Sequence, residues 1–338
     1  MPTQTSRNAL IFAPAESRGL AETASRTAGI ELAALEEREY EGGEFKLRPL
    51  QSVRDRPVFV LQSLAENPGS PMAQRLVRLL FLLQTLRDAG ASSVTAVIPY
   101  LAYARKDRRT KPRDPVYTRY VAQLIEASGT NRVVALDVHN ASALDNAFRI
   151  PVDHLSALPM MVTHFNQHIP TGKLAVVSPD IGGIKRAQIF RELLERKTGR
   201  PVELLFVEKR REGQTISGGM IVGDVSGHDA ILVDDLCATG ATLLQSARTL
   251  RSAGATSVRA AVTHIPIETG LRSLAASSDV AQVVITDSVG YSPNINAPHH
   301  GAKVTTLSAG ALLGHAIARI ARGDSLAPMS EHWPPPPG

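Results

Sequence analysis

Arg87-Asp-Ala-Gly-Ala-Ser-Ser-Val-Thr-Ala recurs as Arg251-Ser-Ala-Gly-Ala-Thr-Ser-Val-Arg-Ala. In both places the end of a helical run meets a glycine and turns into a β-branched run. Leu10-Ile-Phe-Ala-Pro-Ala matches Ala175-Val-Val-Ser-Pro-Asp in pattern, again offset by about half the chain. Two copies of one supersecondary unit are too few for a solenoid, and they point instead to two related domains joined near residues 150–160. Independent convergence of helix-glycine-strand turns is the alternative.

The rest of the chain carries the same rhythm. Short apolar runs bounded by Gly, Pro and Asp alternate with longer amphipathic stretches, which predicts α/β architecture with doubly wound, mostly parallel sheets. Strands are expected over 8–13, 57–61, 94–99, 132–137, 173–178, 202–207, 230–234, 258–263 and 282–287. A helix is expected after Ser70-Pro71, with the serine hydroxyl as N-cap and the proline in the first turn, ending at Gly90. It is apolar nearly all round, which implies burial on two sides, by the sheet and by a neighbouring helix or subunit. With 338 residues, 43% of them hydrophobic, there is material for two domains, each with its own core. Residues 8–155 and 156–322 are the expected units, and 323–338, ending in a proline run, has the composition of a disordered tail.

The densest apolar run, Leu79-Leu80-Phe81-Leu82-Leu83, is too short for a membrane span, and the first residues lack a signal-peptide pattern. A cytoplasmic location is the expectation. A lone cysteine, Cys237, excludes an intramolecular disulfide and any multi-cysteine metal site. Aromatic residues make up only 4% of the chain and no nucleic-acid-binding motif is present, so neither nucleic acid nor membrane is an expected partner. The net charge of +5 says less than its distribution: Arg105-Lys-Asp-Arg-Arg-Thr-Lys-Pro-Arg113 gathers six basic residues against one acid. Such a run suits a polyphosphate, with a solvated loop or an RNA patch as the other readings.

The most specific local signal is Ala230-Ile-Leu-Val-Asp234-Asp235-Leu-Cys-Ala-Thr239-Gly240-Ala-Thr242. It is an apolar strand ending in two acids, a Thr/Gly turn, and then an amphipathic helix. The turn and the helix N-terminus present backbone N–H groups and the positive dipole end to a phosphate, and Thr239 and Thr242 add hydroxyls. Adjacent carboxylates at Asp234 and Asp235 repel a phosphate, but they suit the 2- and 3-hydroxyls of a sugar whose 5-phosphate sits at Thr239-Gly240. The loop resembles that of type I phosphoribosyltransferases and lacks the Gly-Lys-Ser/Thr ending of a Walker loop. Within it, Cys237 reads as a small apolar filler, with a redox switch as the alternative.

Four further segments resemble, in order and separation, the ribose-phosphate diphosphokinase (phosphoribosyl pyrophosphate synthetase) family over residues 8–322. They are Tyr100 to Arg109, Asp137-Val-His139, Ser178-Pro-Asp180-Ile-Gly-Gly183, and Lys209-Arg210-Arg211 ahead of Val222 to Gly227. The resemblance implies transfer of the diphosphoryl group of ATP to the anomeric hydroxyl of ribose 5-phosphate, releasing AMP, with Mg²⁺ as cofactor. It places ATP on the first domain and the sugar phosphate on the phosphoribosyltransferase-like second. Lys209 and Arg211, on a polar Gly-rich stretch suited to a mobile flap, fall where transition-state charge is stabilised. Arg105, Lys106, Asp107 and His139 fall at the nucleotide, and Asp180, Asp234, Asp235, Thr239, Gly240 and Thr242 at the sugar phosphate. His139 and Asp180 match metal-contacting positions, although on its own residue type His139 is a weak Mg²⁺ ligand and reads as structural before it reads as a ligand. Tyr40 and Glu44 match a segment that contacts the adenine from a neighbouring subunit. That implies a homo-oligomer built on dimers, up to a hexamer.

Three positions depart from the family pattern. Gly42 stands where an acid near the adenine is expected, Ala238 replaces the third acid of the sugar-phosphate loop, and Lys106 replaces a glutamine. They make this a divergent member, and they leave open a catalytically silent regulatory homologue. A phosphoribosyltransferase is the remaining alternative.

Overall fold

The structure, a computed structural model, describes residues 8–67, 69–169, 171–212, 215–290 and 303–336, apart from the side chains of 209–212 and 215–218. The first half runs β1 (Leu10–Phe12), α1 (Arg18–Ala28), β2 (Glu31–Leu32), β3 (Leu35–Glu39), β4 (Phe45–Pro49), β5 (Pro57–Leu61), α2 (Met72–Asp88), β6 (Ser93–Ile98), α3 (Tyr117–Ala127), β7 (Arg132–Leu136), α4 (Ala141–Ala147) and β8 (Val152–Leu155). The second half runs α5 (Leu158–His168), β9 (Lys173–Ser178), α6 (Ile184–Thr198), β10 (Val202–Glu212), β11 (Thr215–Val222), β12 (His228–Leu236), α7 (Ala241–Ser252), β13 (Ser257–His264), α8 (Glu268–Ala276), β14 (Gln282–Thr286), β15 (Val304–Leu307) and α9 (Ala309–Arg322).

The two halves repeat one topology. The first sheet is ordered β2-β1-β5-β6-β7-β8 and the second β11-β10-β9-β12-β13-β14-β15. Exchanging β2, β1, β5, β6, β7 and β8 for β10, β9, β12, β13, β14 and β15 converts the first order into the second without its edge strand β11. The echoed segments at Arg87 and Arg251 therefore occupy equivalent places, ending α2 before β6 and α7 before β13. Every pairing in the first sheet is parallel. In the second the exception is β11, antiparallel to β10 at the edge. Strands buried on both faces are apolar over most of their length, which is why β5, β6, β7 and β9 read as near-continuous runs. The hairpin β3–β4 forms its own two-stranded sheet.

The halves do not keep wholly separate cores. One cluster lies over the outer face of the first sheet, with Leu79, Leu83 and Ile125 from α2 and α3. Another lies over the outer face of the second, with Leu243, Leu250 and Leu271. The third joins them: Ile11, Phe59 and Val134 of the first sheet pack through α1, α5, α6 and α9 onto Val176, Ile231 and Val284 of the second. Small residues bring α9 against α1, for a Cβ on Gly314 would stand 2.6 Å from both the Ala24 carbonyl oxygen and the Thr27 Cβ. Gly314→Ala is therefore expected to destabilise the fold by about 1–3 kcal/mol through overpacking, read as a lower midpoint in chemical denaturation. An unchanged midpoint would mean that this crossing is not so tight.

Two local expectations are corrected. Ser70 does not cap α2: Pro71 occupies the N-cap position, and the Ser70 hydroxyl accepts from Arg75 Nε at 3.0 Å instead. The stretch expected to be a disordered tail packs over residues 323–336, because α9 and α5 give it partners. Arg319 donates to the Ser325 and Pro336 carbonyls, Thr163 to the Trp333 carbonyl, and Met329 is buried. Among the described residues no helix is long and apolar enough to cross a membrane.

Candidate active site

The carboxyl ends of parallel strands from both sheets converge on one cavity of about 300 Å³, where α/β sheets characteristically bind ligands. From the first half come Tyr100 after β6, Arg105 and Lys106 on the following loop, and Asp137 and His139 after β7. From the second come Asp235 at the end of β12 and His264 at the end of β13.

The central contact crosses between halves. His139 Nδ1 lies 3.1 Å from Asp235 Oδ2, and Arg186 NH1, on α6, lies 2.9 Å from Asp235 Oδ1 and 3.4 Å from Asp234 Oδ1. Burial works against ionisation of Asp235, but the His139 hydrogen bond and the Arg186 charge outweigh it and hold this carboxyl below the usual range. Asp234 is pushed up, first by burial and then by the charge of Asp235. The Asp235 hydrogen bond raises His139 in turn, against the opposing effect of burial. The pair thus holds one firmly ionised carboxylate, one carboxyl that ionises reluctantly, and a guanidinium shared between them.

Beneath the cavity the halves are tied by buried polar contacts. Asp137, at φ +37°, accepts from Ser156 Oγ (2.9 Å), Ala157 N (2.9 Å) and, across the interface, Thr263 Oγ1 (2.6 Å). The His264 ring lies between the Leu136 carbonyl at 3.0 Å and Ser288 Oγ at 2.7 Å, with Tyr100 edge-on at 5.3 Å. Burial depresses the basicity of His264, so a neutral ring fits this place.

The turn into α7 is built for close approach. Gly240, at φ +83°, occupies the N-cap without any side-chain cap, and Thr239 Oγ1 faces Ala241 N at 3.5 Å. A Cβ on Gly270 of α8 would meet the Ala238 carbonyl oxygen at 2.2 Å, so the loop rests directly on that backbone. Ala238 makes this contact through its carbonyl. Cys237 is buried and its thiol is pushed up to about 12 by burial, which fits a filler and not a redox switch. Asp180 caps the short turn Ile181–Gly183, accepting from Gly183 N at 3.2 Å, and its charge helps to raise Asp234.

The basic loop is partly occupied with itself. Lys106 Nζ reaches Asp114 Oδ2 at 2.6 Å, and this bond, with those from Thr110 and Lys111, keeps the Asp114 carboxyl well below its ordinary range. Asp107 accepts from Asn140 Nδ2 at 2.6 Å, and Asn140 caps α4. Tyr40 and Glu44 stand at the tip of the β3–β4 hairpin, joined by Tyr40 N to Glu44 O at 2.8 Å, and neither lines the cavity of its own chain. Lys209 and Arg211 are placed through their backbone: Lys209 pairs with Gly219 and Arg211 with Ile216, with a register irregularity between them. Their side chains lie outside the described residues, as do Gly213 and Gln214 of the expected flap. The partners that residue patterns did not announce are Arg186, Asp114 and His264. Lys185-Arg186 directly after Ser178 to Gly183 was the available signal for the first.

Comparison with known proteins fits this geometry. Residues 9–129 match a family model described as the N-terminal domain of ribose phosphate pyrophosphokinase, and 210–330 match the phosphoribosyl synthetase-associated domain. A protein named ribose-phosphate pyrophosphokinase from Agrobacterium fabrum is 35% identical over 318 residues, covering 94% of this chain and 98% of that protein. Its namesake from Brucella melitensis is 37% identical over 321 residues, covering 94% and 99%. The crystal structure of phosphoribosylpyrophosphate synthetase from Mycobacterium smegmatis superposes with a TM-score of 0.81 at 30% identity, covering 93% of this chain and 99% of that one. Shared sequence over nearly the full length of both partners, on the same two-sheet frame, makes this chain a member of the ribose-phosphate pyrophosphokinase family.

Proposed function

We propose that the chain transfers the β,γ-diphosphoryl group of ATP to the anomeric hydroxyl of ribose 5-phosphate, giving phosphoribosyl pyrophosphate and AMP. The observation that carries this reading is the cavity in which Arg105, Lys106 and His139 of one half face Asp235 of the other. A donor and an acceptor are held there by different halves. The anomeric oxygen attacks the β-phosphorus in line, the bond from that phosphorus to the oxygen of AMP breaks, and the hydroxyl proton passes to solvent. Such a transfer needs positioning and cations more than covalent help.

In this reading Asp234 and Asp235 accept from the ribose hydroxyls, and Arg186 and His139 keep Asp235 ionised for that purpose. The 5-phosphate lies at the turn from Thr239 through Gly240 to Thr242, on the N-terminus of α7. Arg105 and protonated His139 attract the nucleotide phosphates, with Lys106 tied to Asp114. Magnesium is best written as part of the nucleotide substrate. Among the described residues no three His, Cys, Asp or Glu side chains are gathered to hold a metal, and Mg²⁺ commonly keeps waters and takes one or two carboxylates beside phosphate oxygens. Asp180, with His139 at hand, would face it, and the ion supplies charge neutralisation on the phosphates. A neighbouring copy supplies Tyr40 and Glu44 to the adenine, which makes the active form a homo-oligomer built on dimers. A cytoplasmic setting goes with this reading, since the lone buried cysteine calls for no oxidising compartment.

The test is AMP release from ATP by the purified protein. Release that requires both ribose 5-phosphate and Mg²⁺ is the expected result. Folded protein that releases no AMP under those conditions would overturn the reading in favour of a silent regulatory homologue.

A further inference from the structure

The β3–β4 hairpin belongs to neither large sheet, and a lone two-stranded ribbon is marginal without support. Its attachment is visible in the alternation of β3. Glu36 turns to one face, where it pairs with Lys46 at 2.7 Å and Arg48 at 2.5 Å across the hairpin. Glu37 and Glu39 turn to the other face, towards α2, and meet Arg78. This arginine, its side chain only 7% exposed, places NH2 2.5 Å from Glu37 and NH1 3.1 Å from Glu39, with Nε 3.7 Å from Glu16. Its guanidinium also lies over the Phe45 ring at 5.1 Å.

Glu39 directly precedes Tyr40, and Phe45 directly follows Glu44. Arg78 therefore grips both stems of the hairpin at the base of its tip. From this geometry we infer that Arg78 is a positioning residue for the nucleotide site. It fixes the direction in which the hairpin presents Tyr40 and Glu44 to a neighbouring copy, and so sets affinity for ATP without touching it. A planar fork can satisfy two carboxylates and stack on a ring at once. Removing it leaves Glu16, Glu37 and Glu39 gathered without their cation, which favours splaying of the hairpin from α2. The inference rests on the reading that the tip reaches the nucleotide.

Steady-state kinetics of the full-length oligomer separate the two. Arg78→Ala is expected to raise the KM for ATP about tenfold, the effect of losing one charge-assisted contact, with the KM for ribose 5-phosphate unchanged. Arg78→Lys keeps the charge without the fork or the ring contact, is expected to fall between, and carries the test if the alanine variant does not fold. Because Arg78 acts through the tip, Tyr40→Ala and Arg78→Ala together should raise the ATP KM by less than the product of their separate effects. An unchanged ATP KM in both Arg78 variants, or effects that multiply in the double variant, would overturn the inference while the tip reading stands. If Tyr40→Ala leaves the ATP KM unchanged, the tip reading itself fails and the inference falls with it.

Discussion

Lys209→Ala is expected to lower kcat by about 10²–10³-fold, the usual loss when a group that stabilises transition-state charge is removed, with little change in fold. Charge spreads over the equatorial oxygens of the β-phosphorus and onto the departing AMP oxygen, and cations have to be aimed there. Lys106 is bound to Asp114 and Arg186 to Asp234 and Asp235, so of the cations around the cavity Arg105 and His139 remain for the nucleotide phosphates, and Lys209 would add one at the phosphorus under attack. Strand β10 pairs with β9 up to Phe206 and Ser178 and then runs on as a ribbon with β11 alone. Lys209 comes three residues beyond that point, about 10 Å further at the rise of a strand. It therefore lies past the carboxyl end of β9, on the side of the sheet that carries Asp180 and the α7 turn. A group used only in the transition state changes kcat and kcat/KM together, so the KM values should move little. Arg211→Ala should behave alike. Turnover of Lys209→Ala equal to that of the parent would remove this role.

The frame was legible because buried parallel strands are apolar over most of their length. The nine expected strands fall on β1, β5, β6, β7, β9, β10, β12, β13 and β14, and the repeat at Arg87 and Arg251 marks equivalent joints. The elements that escaped are held by something other than their own pattern. Strand β2 has two residues, β8 and β15 have four each, and all three depend on a neighbouring strand for their backbone bonds. Strand β3, Leu-Glu-Glu-Arg-Glu, is mostly charged and is kept by ion pairs to β4 and α2. Residues 323–336 look like a tail in composition, yet Arg319 on α9 holds them through two backbone carbonyls.

The site divides in the same way. Asp234 and Asp235 are recognisable because strand, acids, glycine turn and helix are contiguous. The contact from His139 to Asp235 spans 96 positions, and no local pattern encodes a distance of that kind. Family resemblance supplied the assignment of His139, but it did not reveal that the ring is bound to the very carboxylate meant for the sugar. Lys106 shows the opposite case. Its place in a basic run suggested free charge near phosphate, whereas Asp114, inside the same loop, takes up its ammonium group.

Asp235→Asn should reduce kcat/KM for ribose 5-phosphate roughly 100-fold, since each hydrogen bond to a charged group is worth about 1.5–3 kcal/mol and a sugar hydroxyl would lose its ionised acceptor. The same change should alter the pH dependence of nucleotide affinity. Asp235 holds the pKa of His139 above its ordinary value, chiefly through their hydrogen bond. The imidazolium, with its attraction for nucleotide phosphates, is therefore present below that raised pKa and is lost as pH rises through it. The pair's contribution to stability has the same sign: it is full below the unfolded histidine pKa and disappears on the alkaline side. With asparagine at 235 the raising influence goes, while burial continues to lower His139. The NMR titration midpoint of the His139 ring should then shift to lower pH, and the rise in ATP KM with pH should begin earlier. Asp234, relieved of the neighbouring charge that raises it, should ionise more readily and leave part of the sugar affinity in place. An unmoved His139 midpoint would dissolve the link between the two halves, and an unchanged kcat/KM for ribose 5-phosphate would take the sugar away from Asp235.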